Sequence, residues 1–232
     1  MNKMNFVASA FLVLSCSARA AAQRCDVDSG FRGSYFRVGY EQRELRKVFT
    51  NLEDIPENVR TRLDEYLQEK VGSAFKERLR FEEGEWLDRE QLKEQFPSVY
   101  EENANLGSYD LTFFFSDTEK GLKAFYTKMR LNEDGSVNSE IGLPDIRSDP
   151  SKAEIVSCQD AYSIAASNGF PSEFSLASFE YSAEEKAFVW IIIDSRNTEP
   201  DNPINGKGTY KRIEIDAKTG NVVRIEKETI II

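Results

Sequence analysis

Forty acidic side chains and not one histidine bound the chemistry open to this chain. Without imidazole there is no Ser-His-Asp or Cys-His catalysis and no histidine-bearing zinc site. Three cysteines cannot build a four-thiolate site. The G-x-S-x-G, P-loop and G-x-G-x-x-G spacings do not occur. What remains is carboxylate chemistry, in which two acids flank a glycosidic bond. Glu82-Glu-Gly-Glu85 and Asp194 could contribute to such a pair. A chain so rich in acids also makes such clusters as solvated faces, and that is the simpler reading. Asp26-Val-Asp28-Ser-Gly30 matches the opening of a calcium loop, yet Arg37 stands where the closing glutamate belongs. Asp201-Asn202 and Asn205-Gly206 could offer oxygens to calcium, although a plain polar loop accounts for them as well. The expectation is a non-enzymatic chain without cofactor or bound metal.

Aromatic residues are the other candidates for recognition. Trp190 could stack on a ligand, but its strand neighbours are all apolar and a core position accounts for it better. Phe113-Phe-Phe115 places rings on both faces of a strand, so at least one face needs a cover.

The elements that hold these residues are clearest near the C-terminus. Lys186-Ala-Phe-Val-Trp-Ile-Ile-Ile-Asp194 is apolar on both faces, as expected of a central strand covered on each side. It is far shorter than the roughly 18 apolar residues of a membrane span. Ile213 and Ile215 alternate with Arg212 and Glu214, giving a strand with one wet face. Asp216-Ala-Lys-Thr-Gly220 is its hairpin turn, and Asn221 to about Lys227 returns. Upstream, Ser157-Cys-Gln-Asp160 has capping-box spacing, Ala161, Ile164 and Ala165 form a narrow apolar stripe, and Gly169 ends the helix. Phe174 to Tyr181 is the first strand of the meander.

An alanine-rich helix ending in glycine, a hairpin with Trp190 in its second strand and the closing Ile213-Glu-Ile215-Asp216-Ala-Lys-Thr219-Gly220 together resemble the PepSY domain family. The resemblance covers residues from about 155 to 228. It implies a small, exported, non-catalytic α+β module that modulates a partner protein, in some cases a secreted peptidase. It brings no catalytic residues. The polar Arg196–Lys207 connection has no counterpart in it.

Met1 to about Ala22 reads as a secretory signal, with Lys3, an apolar run from Phe6 to Leu14 and small residues at Ala20-Ala-Ala22. Val13-Leu-Ser-Cys16 is an alternative lipoprotein box that would place a lipid on Cys16. Either way the mature chain is exported, to periplasm or medium or to a lipid anchor. Loss of Lys3 and Arg19 moves the formal charge from −10 to −12, which disfavours nucleic acid and anionic membranes as partners. Cys25 and Cys158 remain, an even pair in an oxidising compartment. A disulfide between them is one reading; a free Cys25 and a buried Cys158 is the other.

Between these regions, Tyr35-Phe-Arg-Val38 reads as a short strand and Glu41 to Phe49 as strand or helix. Ile55-Pro56 opens a helix with Val59, Leu63, Leu67 and Val71 on one face, closed by Gly72. Phe75 to Leu87 reads as a strand pair turning near Gly84. A capped helix runs from Asp88 to Phe96, stopped by Pro97. A second meander covers Leu111–Phe115, Gly121–Leu131 and Val137–Ile141.

Phe113–Gly121 matches Phe179–Ala187, and Asn132-Glu-Asp-Gly135 matches Asp216–Gly220, as a diverged duplication or as convergent turn chemistry. The expected fold class is α+β, two tandem units of a helix and an antiparallel sheet. The segments are a signal over 1–22, a first unit over 23–146, a linker over 147–154 and the PepSY-like unit over 155–232. The expected function is binding of a partner protein. The alternative is an envelope protein with an aromatic-lined ligand pocket between helix and sheet.

Overall fold

The computed structural model describes residues 25–31, 34, 36, 40–102, 105, 107–171, 173, 175–194 and 207–231. The signal segment with Cys16, most of the Tyr35–Val38 stretch and the two calcium-loop dipeptides after residue 200 lie outside them.

Among the described residues, two antiparallel-rich sheets and four α-helices give a mixed α+β fold. The first sheet is built from β1 (Val27–Gly30), β2 (Arg46–Phe49), β3 (Arg80–Leu87), β4 (Tyr109–Asp117), β5 (Leu122–Leu131) and β6 (Val137–Ser139). Its order is β1-β5-β4-β3-β2, with β6 also on β5. The second is the meander β7 (Ser175–Ser182), β8 (Ala187–Asp194), β9 (Lys207–Asp216) and β10 (Val222–Ile231), in the order β10-β9-β8-β7.

α1 (Glu57–Lys76) buries Val59, Leu63, Leu67 and Val71 as the spacing requires. Its start differs from the expectation. Pro56 is the N-cap and helical dihedrals begin at Glu57. At the other end Gly72 takes φ 73° and ψ 168°, outside the helical region, so the helix closes there as expected and a separate short turn follows within the same span. The extra turn seats Phe75 against Phe115, ring centroids 5.1 Å apart. β3 is one strand running through Gly84, where a Cβ would lie 2.3 Å from the Phe49 ring, so glycine there makes room for an aromatic and not for a turn. α2 (Arg89–Gln95) is capped by Asp88, which accepts from the Gln91 N–H at 3.0 Å. α2 stops before Pro97 as expected, and Pro97 then opens a further short helix, α3 (Pro97–Glu102), since proline also suits a first helical position.

α4 (Cys158–Ser167) carries the full capping box. The Ser157 hydroxyl accepts from the Asp160 N–H at 3.1 Å, and Asp160 accepts from the Ser157 N–H at 3.2 Å. The α4 and core side of the second sheet holds Phe179, Phe188, Trp190, Ile192, Ile213 and Ile215, all buried. On its other side Val189 and Ile191 are buried as well, beside Arg212, Glu214 and Arg224 of the adjoining strands. The double-sided burial of β8 thus combines a core on one face with charged side chains lying over aliphatics on the other.

Both sheets contribute to one core. Phe115 and Phe125 of the first meet Phe179 and Phe188 of the second at centroid distances of 5.5 to 6.4 Å. Trp190 closes on Phe179 at 4.8 Å. The linker is bound in at both sides: the Arg147 N–H donates to the Lys70 carbonyl at 3.3 Å, and Lys218 lies 3.5 Å from Asp149.

The two sequence matches between the halves fall on different strand positions. Phe113–Gly121 is the β4–β5 hairpin, set beside β7–β8, whereas Asn132–Gly135 is the β5–β6 turn, set beside β9–β10. No single strand-by-strand alignment holds both. Counting from each helix, β3-β4-β5-β6 and β7-β8-β9-β10 have the same order, and only the second match agrees with it.

Candidate seam cleft

β1 is the element that brings the halves together. It pairs parallel with the first part of β5, and its Ser29 hydroxyl accepts from the Phe179 N–H of β7 at 2.9 Å. Gly30 must be glycine: φ is 95°, and a Cβ would lie 2.0 Å from the Tyr126 carbonyl. Cys25, just before β1, is bonded to Cys158 in the first turn of α4. The disulfide rests on Gly121, whose added Cβ would meet the Cβ atoms of Cys25 and Cys158 at 2.7 and 3.0 Å.

β1 covers only residues 122–126 of β5, and β6 covers 130 and 131. A cleft of about 520 Å³ opens there, lined by Phe31, Tyr126, Lys128, Arg130, Glu140, Glu180 and Tyr181 among others. Its walls therefore come from β1, β5, β6 and β7. Lys128 donates to Asp110 at 2.8 Å in a pair almost closed to solvent, and its ammonium lies 5.7 Å from the ring of Phe31. Tyr126 stacks on Phe114 at 5.5 Å. At one rim Lys70 binds Glu140 at 2.7 Å, and Tyr66 accepts from the Ile141 N–H at 3.2 Å. Burial lowers the affinity of Lys70 for its proton, but the Glu140 carboxylate outweighs it and the ammonium is held above its usual range. Burial raises the Tyr66 phenol despite that backbone bond. Both groups keep their protons at neutral pH, so this rim is a fixed arrangement of donors and one carboxylate.

The residues singled out from sequence lie elsewhere. Trp190 is fully buried and donates from Nε1 to the Val156 carbonyl at 3.1 Å, a core role. Ile213 and Ile215 are core residues too. Asp216 Oδ1 accepts from the Thr219 N–H and hydroxyl at 2.6 and 2.7 Å, and Gly220 adopts φ 73°, so the Asp-Ala-Lys-Thr-Gly motif is a turn lock. Glu85 is buried on β3 with Ser34 and Arg46 on its carboxylate, while Glu82 is exposed; Asp194 lies in the other sheet. The structure does not assemble these acids into a pair. Asp26-Val-Asp28-Ser-Gly30 is mostly strand, with Val27 and Ser29 turned inward, and does not form a loop around an ion. Among the described residues no three His, Cys, Asp or Glu side chains converge to hold a metal.

One aromatic-lined space lies between the two sheets, and another of about 500 Å³, lined by Phe49, Trp86 and Tyr109, lies between the start of α1 and the first sheet. Phe31, Tyr126 and Tyr181 were not marked by sequence. The signal for them was the alternation of Tyr126, Lys128 and Arg130 on a strand whose other face is core. No helix among the described residues is long and apolar enough to cross a membrane. No family model matches the chain, and no curated protein or solved structure does either.

Proposed function

We propose that the mature chain is an exported, non-catalytic binding protein that holds a partner protein in the seam cleft. Its PepSY-like C-terminal segment makes a secreted peptidase the first partner class to test. One observation carries the reading: where the two halves share a core, a cleft walled by strands of both sheets is left beside Phe31, Tyr126 and Tyr181. Aromatic side chains lining such a cleft supply anchoring contact for a partner's side chains. The disulfide supports export, because such bonds persist in oxidising compartments.

The test is capture from envelope extract and culture supernatant by the full mature chain. A stoichiometric protein is expected, and it is lost from a variant carrying Phe31→Asp and Glu180→Lys, two exposed positions, whose melting temperature is compared with that of the natural chain. Equal capture by that variant rules out the cleft as the contact. The aromatic lining also favours a second reading, a small apolar ligand. A rise in melting temperature with a small molecule, abolished by the same variant, selects it.

A further inference from the structure

We infer that the chain self-associates through β10, with two copies pairing antiparallel about a dyad at Ile225. The other strand edges are short or occupied. β2 is four residues long, β6 three, and β1 and β7 adjoin each other through Ser29 and Phe179. β10 is ten residues long, and no described strand pairs with its outer side. Such an edge is a template for another strand.

Charge and exposure select both occupant and register. Ile225 lies on the core side of the sheet, opposite Ile213, yet is 51% exposed. Val222, on the same side, is 39% exposed. Arg224 and Glu226 lie on the other side, beside Glu214 and Glu184. Two antiparallel copies related by a dyad normal to the sheet keep their faces, so residues facing each other share a side. Centred on Ile225, the pairing covers that isoleucine with its own copy and sets each Arg224 opposite the other copy's Glu226. Shifting the centre by one residue either way places Arg224 on Arg224 or Glu226 on Glu226, and like charges directly opposed destabilise a sheet. A bulge at Val223 limits the ordered overlap to about five residues, so a weak dimer follows, with Kd on the order of 10 μM.

Sedimentation equilibrium of the mature chain between micromolar and millimolar concentration reads the dimer directly. Glu226→Arg or Arg224→Glu alone is expected to weaken it about tenfold or more. An equimolar mixture of the two variants is expected to restore it, because one chain then carries two basic side chains at these positions and the other two acidic ones, and every facing pair in the mixed dimer is of opposite sign. Should the Arg224→Glu chain fail to fold, having lost its bonds to Glu214, Ile225→Lys at the exposed dyad position is expected to give the same loss with an unchanged melting temperature. A wild-type chain that stays monomeric to about 1 mM overturns the inference. So does a dimer that the substitutions leave intact or the mixture does not restore. Neither outcome bears on the cleft, which lies on other strands.

Discussion

Gly121 is where a missing side chain lets a covalent tie exist. Its φ of 78° and the 2.7 Å approach of a built Cβ to Cys25 mean that Gly121→Ala both strains the backbone and pushes into the disulfide. A loss of about 2–3 kcal/mol is expected in urea unfolding. The bond itself spans 133 residues, and the chain-entropy account gives it about 4–5 kcal/mol. Replacing Cys25 and Cys158 by serine should lower stability by up to that amount, and the reductant dependence of the wild-type melt should vanish in the variant. Asp160 adds a pH dependence. The Ser157 hydroxyl and then the Ser157 N–H hold its carboxyl below the ordinary 3.8. A depressed carboxyl contributes stability that is complete above its unfolded value and is lost as pH falls through the folded one. Melting temperature should therefore fall below about pH 4, and Asp160→Asn should flatten part of that fall.

Short stretches with self-contained chemistry predict their own structure here. The capping box of α4 and the Asp216–Gly220 turn formed as read, because the groups that bond are three or four residues apart. Asp216→Ala removes two acceptor contacts from that turn and should cost about 1–2 kcal/mol by denaturant titration, without changing the strand content seen by circular dichroism. Elements decided by distant contacts were not legible. Gly72 ends its helix by local rule, but the turn that follows it carries no local signal and seats Phe75 against Phe115. β1 has four residues and a partner some 95 positions away, so its alternation of Val27 and Ser29 is visible only once β5 is in place. Gly84 looks like a turn until the Phe49 ring is set against it. The seam cleft belongs to this second class: only β5 and β6 are joined by a hairpin that the sequence shows, and β1 and β7 reach them from far along the chain. The polar face of β5 was the one local hint.

A single aromatic core makes the two halves one thermodynamic unit. Phe115 and Phe125 reach across to Phe179, Phe188 and Trp190, and neither sheet can be exposed without uncovering rings of the other. The N-terminal strand lies in the first sheet but is tied by Cys25–Cys158 to the helix of the second half, and Ser29 bonds the backbone of β7. Cutting the chain within 147–154 would therefore leave each fragment with part of its core missing, even though that boundary reads as a linker. Calorimetry of the intact chain should show one transition with matching calorimetric and van't Hoff enthalpies. Phe125→Ala, on the first sheet, should lower that transition by about 3–5 kcal/mol. It should also speed hydrogen exchange in β8 and β9, which carry no part of the substitution, as much as in β4. Two resolved transitions, or exchange enhanced in the first sheet alone, would show that the halves fold separately. The cleft would then change shape with their relative motion, whereas a common core fixes Phe31, Tyr126 and Tyr181 at one spacing and makes the cleft a preformed surface.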